Sequence, residues 1–220
     1  MTCPSLVNVL LPALAPCRHL EGACRNFAAW NPACGDMPRG FGGANGCCEA
    51  VRLVLVTAEP GSPGDSESYG GAPAAMLTDH LRFFEHTLRH DALRRAGRGA
   101  PFHRNLRVIL DLCWPAMSLD QQLAVSWITN AVKCSPSRGK IGNASSTCVS
   151  SYAAREIGAL PHAYVIALGH AANRRLKAAG VRVDQFGQHP SARPNTNPRR
   201  SWKAAASEFR RWLRAHPLLG

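Results

Sequence analysis

Two short runs, Leu53-Val54-Leu55-Val56 and Ala163–Leu168, are apolar at every position. A strand with one wet face alternates polar and apolar residues, so a continuous β-branched run marks a strand covered on both faces. Such strands belong to parallel sheets, and parallel strands need crossover helices. The segments between and after the runs meet that need. Ala75–Arg95 carries Leu77, Leu81, Phe84 and Leu88 at spacings of three and four. Leu106–Leu112 reads as helix or strand, and Leu119–Val125 as the end of a helix entering a strand at Trp127–Val132. Cys148–Leu160 reads as a helix, Gly169 opens another through Ala179, a strand follows near Val181–Phe186, and Trp202–Ala215 closes the chain as an amphipathic helix. This alternation predicts an α/β fold, a parallel sheet with helices on both faces.

With 220 residues, one domain spanning 1–220 is expected. Residues 1–50 read as irregular, broken by Pro4, Pro12, Pro16, Pro32, Pro38 and the glycines from Gly35 to Gly46, with a short helix allowed around Cys17–Ala29. Pro60 to Pro73 reads as an ordered functional loop, and 193–220 as a basic loop and helix. No apolar run approaches the roughly 20 residues of a membrane span. Leu6–Ala15 is apolar but lacks a basic start and a small-residue cleavage site, which argues against a signal peptide. A cytoplasmic protein is the expectation, with no membrane partner and no obligate protein partner.

Three short motifs fall at strand ends, where open α/β sheets bind ligands. They are Thr57-Ala58-Glu59-Pro60-Gly61, Thr129-Asn130-Ala131-Val132-Lys133-Cys134 and His189-Pro190-Ser191. They bring a carboxylate, a carboxamide and an imidazole, groups that can hold a flipped-out base and cut it from its sugar. The net charge of +12 favours a polyanionic partner, since basic groups release counterions from phosphates. Nine cysteines are many for a reducing compartment. Metal binding or buried apolar thiols explain them better than a full set of disulfides, which an odd count excludes.

The ordered set of segments resembles the uracil-DNA glycosylase superfamily, nearest its iron–sulfur families four and five. The resemblance runs from about Cys17 to Asn195. It rests on Pro38-Arg39-Gly40-Phe41-Gly42, on Leu53–Val56 entering Thr57–Gly61, on Ile128–Cys134, on Cys148 and its helix, on Ala167-Leu168-Gly169, and on His189-Pro190-Ser191 with Asn195-Thr196. It implies a three-layer α/β/α sandwich with a short, mainly parallel central sheet. It also implies a monofunctional DNA glycosylase, which hydrolyses an N-glycosidic bond and leaves an abasic site, most simply on uracil or a related damaged pyrimidine. The first motif departs from those families: Thr57 replaces a glycine, and Glu59 stands where they carry alanine and efficient uracil enzymes carry a water-positioning aspartate.

Within that resemblance Glu59 faces the cationic sugar and orients or deprotonates a water. His189 stabilises the departing base anion, and Ser191 contacts phosphate or supports His189. Asn130 pairs with the base edge through a donor and an acceptor, though an amide that can flip also accepts a cytosine-type base. Ala58 lines the base pocket. Tyr69 is the candidate stacking ring, with Phe83 and Phe84 as rivals. Gly61 stands where strict uracil enzymes carry a tyrosine that rejects 5-substituted bases, so the pocket is expected to be open. Arg193, Arg199 and Arg200 are placed on a loop beside the DNA, whereas Arg210, Arg211 and Arg214 equally suit the wet face of the closing helix. Lys133 is expected to be exposed or to touch phosphate.

The family pattern takes two cysteine ligands before the first motif and two after the asparagine. Cys17, Cys24, Cys134 and Cys148 fit it, implying a [4Fe–4S] cluster, with zinc as the alternative. Cys34 or Cys3 can replace one ligand, and Cys47, Cys48 and Cys113 read as core or incidental thiols. Two other functions remain open: a glycosylase for a modified base such as a glucosylated hydroxymethylcytosine of phage DNA, in a defence role, and a catalytically inactive iron–sulfur protein that binds DNA.

Overall fold

The computed structural model describes residues 2–90, 101–136, 144–193 and 196–217. A five-stranded sheet of order β1-β3-β2-β4-β5 forms its centre. Strands β2 (Leu53–Thr57), β3 (Ser126–Asn130), β4 (Tyr164–Leu168) and β5 (Gln185–Gly187) run parallel, and the short β1 (Gly42–Gly43) pairs antiparallel with β3. Every residue of β2, β3 and β4 is buried, the polar Thr57, Ser126, Thr129 and Asn130 included.

Side-chain alternation along these strands divides the core in two. Val54, Val56, Trp127, Val165 and Ala167 point to one face and pack with α1 (Pro4–Leu14), the helical run that ends in α6 (Ala154–Gly158), and α7 (His170–Ala178). Leu53, Leu55, Ile128, Tyr164, Ile166 and Leu168 point to the other. There they meet Phe84 and Leu88 of α2 (Pro73–His90), α3 (Pro101–Cys113), α4 (Leu119–Ala124) and α8 (Pro198–Ala215). The result is the expected three-layer α/β/α arrangement.

Several local readings change. Leu106–Leu112 is helical, within α3. The strand expected near Val181–Phe186 is shorter and begins at Gln185. Residues 18–27 form consecutive turns instead of a helix. The largest correction is α1, in a segment read as irregular. Pro4 occupies the first turn, where its missing N–H costs nothing. Pro12 lies on the exposed side, while Leu6, Val9, Leu10, Ala13 and Leu14 recur at helical spacing and are buried. Burial of that stripe outweighs one lost hydrogen bond. A disulfide joins Cys3 to Cys48, so Cys48 is not an incidental thiol and Cys3 is not a spare metal ligand. The helix Cys148–Leu160 exists as α5 (Ala144–Cys148), a π-turn Val149–Ala153 and α6. The end of the Ala75–Arg95 helix beyond residue 90, and Asn195, lie outside the described residues.

Candidate active site

Parallel register sets Thr57 opposite Asn130 and Leu168 opposite Gly187. The first two motifs therefore leave the sheet at one level, and the third follows β5 by two residues. Ala58, Glu59, Gly61, Asn130, His189 and Ser191 all line one cleft of about 510 Å³ at the carboxyl ends of the strands. A larger cavity of about 700 Å³ lies at the opposite ends, beside Arg52, His162 and Trp212, and contains none of the motif residues.

Glu59 is fixed by a partner that the sequence did not reveal. Arg175 Nη1, from α7, pairs with Glu59 Oε2 and also donates to the Ala58 carbonyl at 3.1 Å. The guanidinium thus holds both the carboxylate and its backbone. With Glu59 still 30% exposed, water can reach the carboxylate.

His189 follows β5 and is half-buried. The Ser191 backbone N–H donates to its Nδ1 at 3.1 Å, so the neutral ring carries its proton on Nε2. Burial holds its pKa below the usual histidine value, with the Glu59 charge opposing that shift. Asn105 Nδ2 anchors the same turn by donating to the Pro190 carbonyl at 2.6 Å. The Gly169 backbone, at φ +101°, passes so close that an added Cβ would lie 3.1 Å from that of His189. This strand end therefore needs glycine for conformation as well as space.

Asn130 is 1% exposed. Its Nδ2 donates to the Arg39 and Gly40 carbonyls at 3.0 and 2.9 Å, and its Oδ1 accepts from the Thr57 hydroxyl. Two carbonyl acceptors on one nitrogen fix the amide orientation. Both donors are committed to the backbone, and one lone pair of Oδ1 is left for a ligand. The flip that would admit a cytosine-type edge is thereby disfavoured. Thr57 thus has a definite task in this lock.

Tyr69 does not line the cleft. Its ring lies in the core beside His80 and Phe83, with centroids 5.8 and 6.5 Å away. His80 Nε2 accepts the Gly40 N–H at 3.0 Å, which leaves the proton on Nδ1, 3.2 Å from the Tyr69 hydroxyl. That hydroxyl donates to Glu67 Oε2 at 3.2 Å. Burial, then the Arg39 charge, pushes the His80 pKa down to about 3, so this interior histidine is neutral. The aromatic walls of the cleft are Phe84 and Phe102, the latter 5.8 Å from His189 between ring centroids.

Arg39 is the second residue that sequence reasoning missed. It is 6% exposed and lines the cleft. Nη1 lies 3.2 Å from both oxygens of Glu67, and Nη2 donates to the Gly61 carbonyl and to Ser135 Oγ, the latter at 2.7 Å. One guanidinium thus joins the loops after β2 and β3. At Gly61, which lines the cleft and is exposed, an added Cβ would meet nothing within 4 Å among the described residues.

Arg193, Arg199 and Arg200 are exposed. Only Arg193 is on a loop. Pro198 starts α8 early, which puts Arg199 and Arg200 in its first turn. Further along α8, Arg210 donates to the Leu112 carbonyl and Arg211 pairs with Glu208 at 2.8 Å, so these two have structural partners.

Cys17, Cys24, Cys134 and Cys148 line a third, mainly apolar cavity together with Tyr152 and Lys133. Cys17 Sγ lies 3.1 Å from the Tyr152 hydroxyl, and Cys148 Sγ accepts the Lys133 N–H at 3.4 Å. Burial raises the pKa of Cys24, Cys134 and Cys148, the last to about 11, and repulsion among the thiols adds to it. As packed, the space is about 20 Å³, and no trio of His, Cys, Asp or Glu stands at metal-binding separation among the described residues. Four soft donors around one apolar cavity nevertheless match the chemistry of a thiolate metal centre.

Lys133 is neither exposed nor available to phosphate. It is 1% exposed, its ammonium sits 2.5 Å from Glu156 Oε1, and it donates to Thr129 Oγ1 and the Asn130 carbonyl at 2.6 and 2.7 Å. Glu156 also accepts from Trp127 Nε1 and Thr129 Oγ1 at 2.9 and 2.7 Å. A buried cation needs such a partner, and helix α6 supplies it.

The sequence matches no family model, and no curated protein matches it. None of the described helices is long and apolar enough to cross a membrane.

Proposed function

We propose that this chain is a monofunctional DNA glycosylase that hydrolyses the N-glycosidic bond of a base flipped from DNA. The observation that carries the reading is one cleft walled by a tethered carboxylate, Glu59, and a neutral imidazole, His189, whose Nε2–H is free of the turn that holds it. Bond breaking makes the sugar cationic and the base anionic. Fixed groups of opposite character, already oriented, are the strongest means of stabilising both.

In this mechanism the C1′–N bond breaks and its electron pair leaves with the base. His189 donates a hydrogen bond from Nε2 to the departing anion. Glu59 lies against the cationic sugar and takes a proton from the attacking water, whose oxygen bonds to C1′. Arg175 keeps the carboxylate in place. No Schiff-base step is assigned: Lys133, the motif lysine, is paired with Glu156 and lines the thiol cavity instead of the cleft. The net charge of +12 and the exposed Arg193, Arg199 and Arg200 support DNA as the partner.

Cys17, Cys24, Cys134 and Cys148 would hold a metal centre, a [4Fe–4S] cluster by resemblance, with zinc as the alternative. Bound there, the metal would cross-link the N-terminal turns to the loop after β3. The open wall at Gly61 supports a second reading within the same chemistry, in which the physiological base carries a bulky substituent and the role is defence.

The deciding experiment incubates the protein with oligonucleotides bearing uracil, 5-hydroxymethyluracil, hypoxanthine or glucosylated hydroxymethylcytosine, then applies alkali. Alkali-labile breaks that disappear in Glu59→Gln and His189→Asn, with DNA affinity retained, are expected. Breaks in none of the substrates, with DNA still bound, would instead favour an inactive DNA-binding protein.

A further inference from the structure

The cavity of about 700 Å³ lies at the strand ends opposite the candidate active site. Sheet order sets β4 between β2 and β5, so the segments entering these three strands lie side by side. They bring Arg52, His162 and Arg182 to the cavity, and the end of α8 adds Trp212 and His216. The two arginines differ. Arg182 donates to the Ala163 carbonyl, and its Nε lies 3.3 Å from Asp184 Oδ2, so its charge is balanced. Arg52 is half-buried, and no hydrogen bond or ion pair engages its guanidinium among the described residues. Only its Nε is fully covered, which leaves the terminal Nη1 and Nη2 as the donors open to the cavity. Glu49 also lines the cavity, exposed, and makes no ion pair with Arg52. A guanidinium drawn partly out of water without a partner costs free energy, and nothing in the fold offsets that cost.

We propose that this cavity is a second ligand site, which takes an aromatic anion of mononucleotide size through Arg52. Its volume falls within the about 300–1,000 Å³ of small-molecule pockets and far exceeds what a bare anion fills. Three groups in the lining match three parts of such a ligand. The Arg52 fork donates charge-assisted hydrogen bonds to phosphate oxygens. Trp212 and His216 stack at the end of α8, with ring centroids 4.7 Å apart and planes 20° apart. His216 Nδ1 donates to the Trp212 carbonyl at 2.9 Å, which holds the imidazole in that stack. Because His216 is exposed, the ring of a ligand can extend it. The Glu49 carboxylate accepts from sugar hydroxyls. This site shares no lining residue with the cleft of Glu59 and His189, and it stands independently of the glycosylase reading.

Isothermal titration calorimetry with AMP tests this, with adenosine, ribose 5-phosphate and inorganic phosphate as partial probes. AMP is expected to bind more tightly than any of the three, by roughly tenfold or more. Arg52→Met removes the fork but keeps an apolar stem, and it is expected to weaken AMP roughly tenfold or more. Without AMP its melting temperature should not fall, because the substitution strands no partner. His216→Ala is expected to weaken AMP while leaving phosphate binding unchanged, and it is the decisive variant if Arg52→Met does not fold. His189→Asn, in the cleft, should bind AMP as the wild type does. No saturable AMP binding at millimolar concentration, or AMP binding unchanged in Arg52→Met, would leave Arg52 an idle surface charge and overturn the site. Loss of AMP binding in His189→Asn with retention in Arg52→Met would move the ligand to the cleft and overturn it equally. Phosphate binding as tight as AMP binding would overturn the aromatic class of the ligand.

Discussion

The backbone N–H of Ser191 donates to Nδ1 of His189 at 3.1 Å, which fixes the imidazole tautomer from within its own turn. A protonated ring would set an N–H against that backbone donor. The turn therefore stabilises the neutral form and aims the remaining proton outward.

Activity should consequently fall in acid. Burial keeps the His189 pKa below its ordinary value of about 6.5, so the ring is neutral at pH 7 and gains its proton only at lower pH. A pH profile of kcat should be flat through neutrality, with an acid limb lying below that value. In His189→Asn the histidine limb should vanish and kcat should drop on the order of a hundredfold. An acid limb above the ordinary histidine pKa would contradict the assignment. The same shift affects stability: the unfolded chain binds the proton first, so this contribution is full above about pH 6.5 and declines as pH falls.

Gly61→Tyr should fold normally, because a Cβ there meets nothing within 4 Å. Its ring should close the open wall. Excision of 5-substituted bases should fall at least tenfold, while uracil excision changes by less than about threefold, within the roughly 1–3 kcal/mol that one pocket contact commands. Gel-based rate measurements on paired oligonucleotides check this directly.

Lys133→Met should be among the most destabilising substitutions in the chain. It strands the Glu156 carboxylate, which is 0% exposed, without its cation. Breaking a buried pair in this way costs about 3–5 kcal/mol. Urea titration should show the midpoint falling with its slope unchanged.

Cys134→Ala or Cys148→Ala should abolish metal retention, measured as iron and zinc per chain after purification. Cys34→Ser and Cys47→Ser should leave it unchanged, since both thiols are exposed and neither lines the four-thiol cavity. Wild-type protein carrying neither metal would refute the thiolate centre.

The sequence was most readable where burial repeats locally. Leu53–Val56 and, from Tyr164 on, the run Ala163–Leu168 are strands because each position faces a helix layer, and that information lies within the run itself. The cleft was readable to the extent that strand ends mark it: Glu59, Asn130 and His189 converge. Their partners were not readable. Arg175 reaches Glu59 across 116 residues and Arg39 reaches Ser135 across 96, distances at which no spacing rule operates. Lys133 misled for a related reason, because its burial depends on Glu156, which α6 brings to β3. Tyr69 misled because a loop tyrosine has the same local context whether its ring faces a pocket or a histidine such as His80. In α1 the prolines suggested irregularity, yet only their placement relative to the buried stripe mattered.

The Cys3–Cys48 bond gives the chain two thiol populations with opposite chemical needs. The metal centre proposed at Cys17, Cys24, Cys134 and Cys148 would require reduced sulfur, whereas the N-terminal tie requires oxidised sulfur. Cys3 is 0% exposed, so a reductant meets this bond through the half-covered Cys48 side alone. Whoever handles the protein must therefore choose a reducing agent by size and strength. One mild enough to spare the tie can still reach the exposed Cys34 and Cys47, and one harsh enough to open it releases the first helix from its anchor.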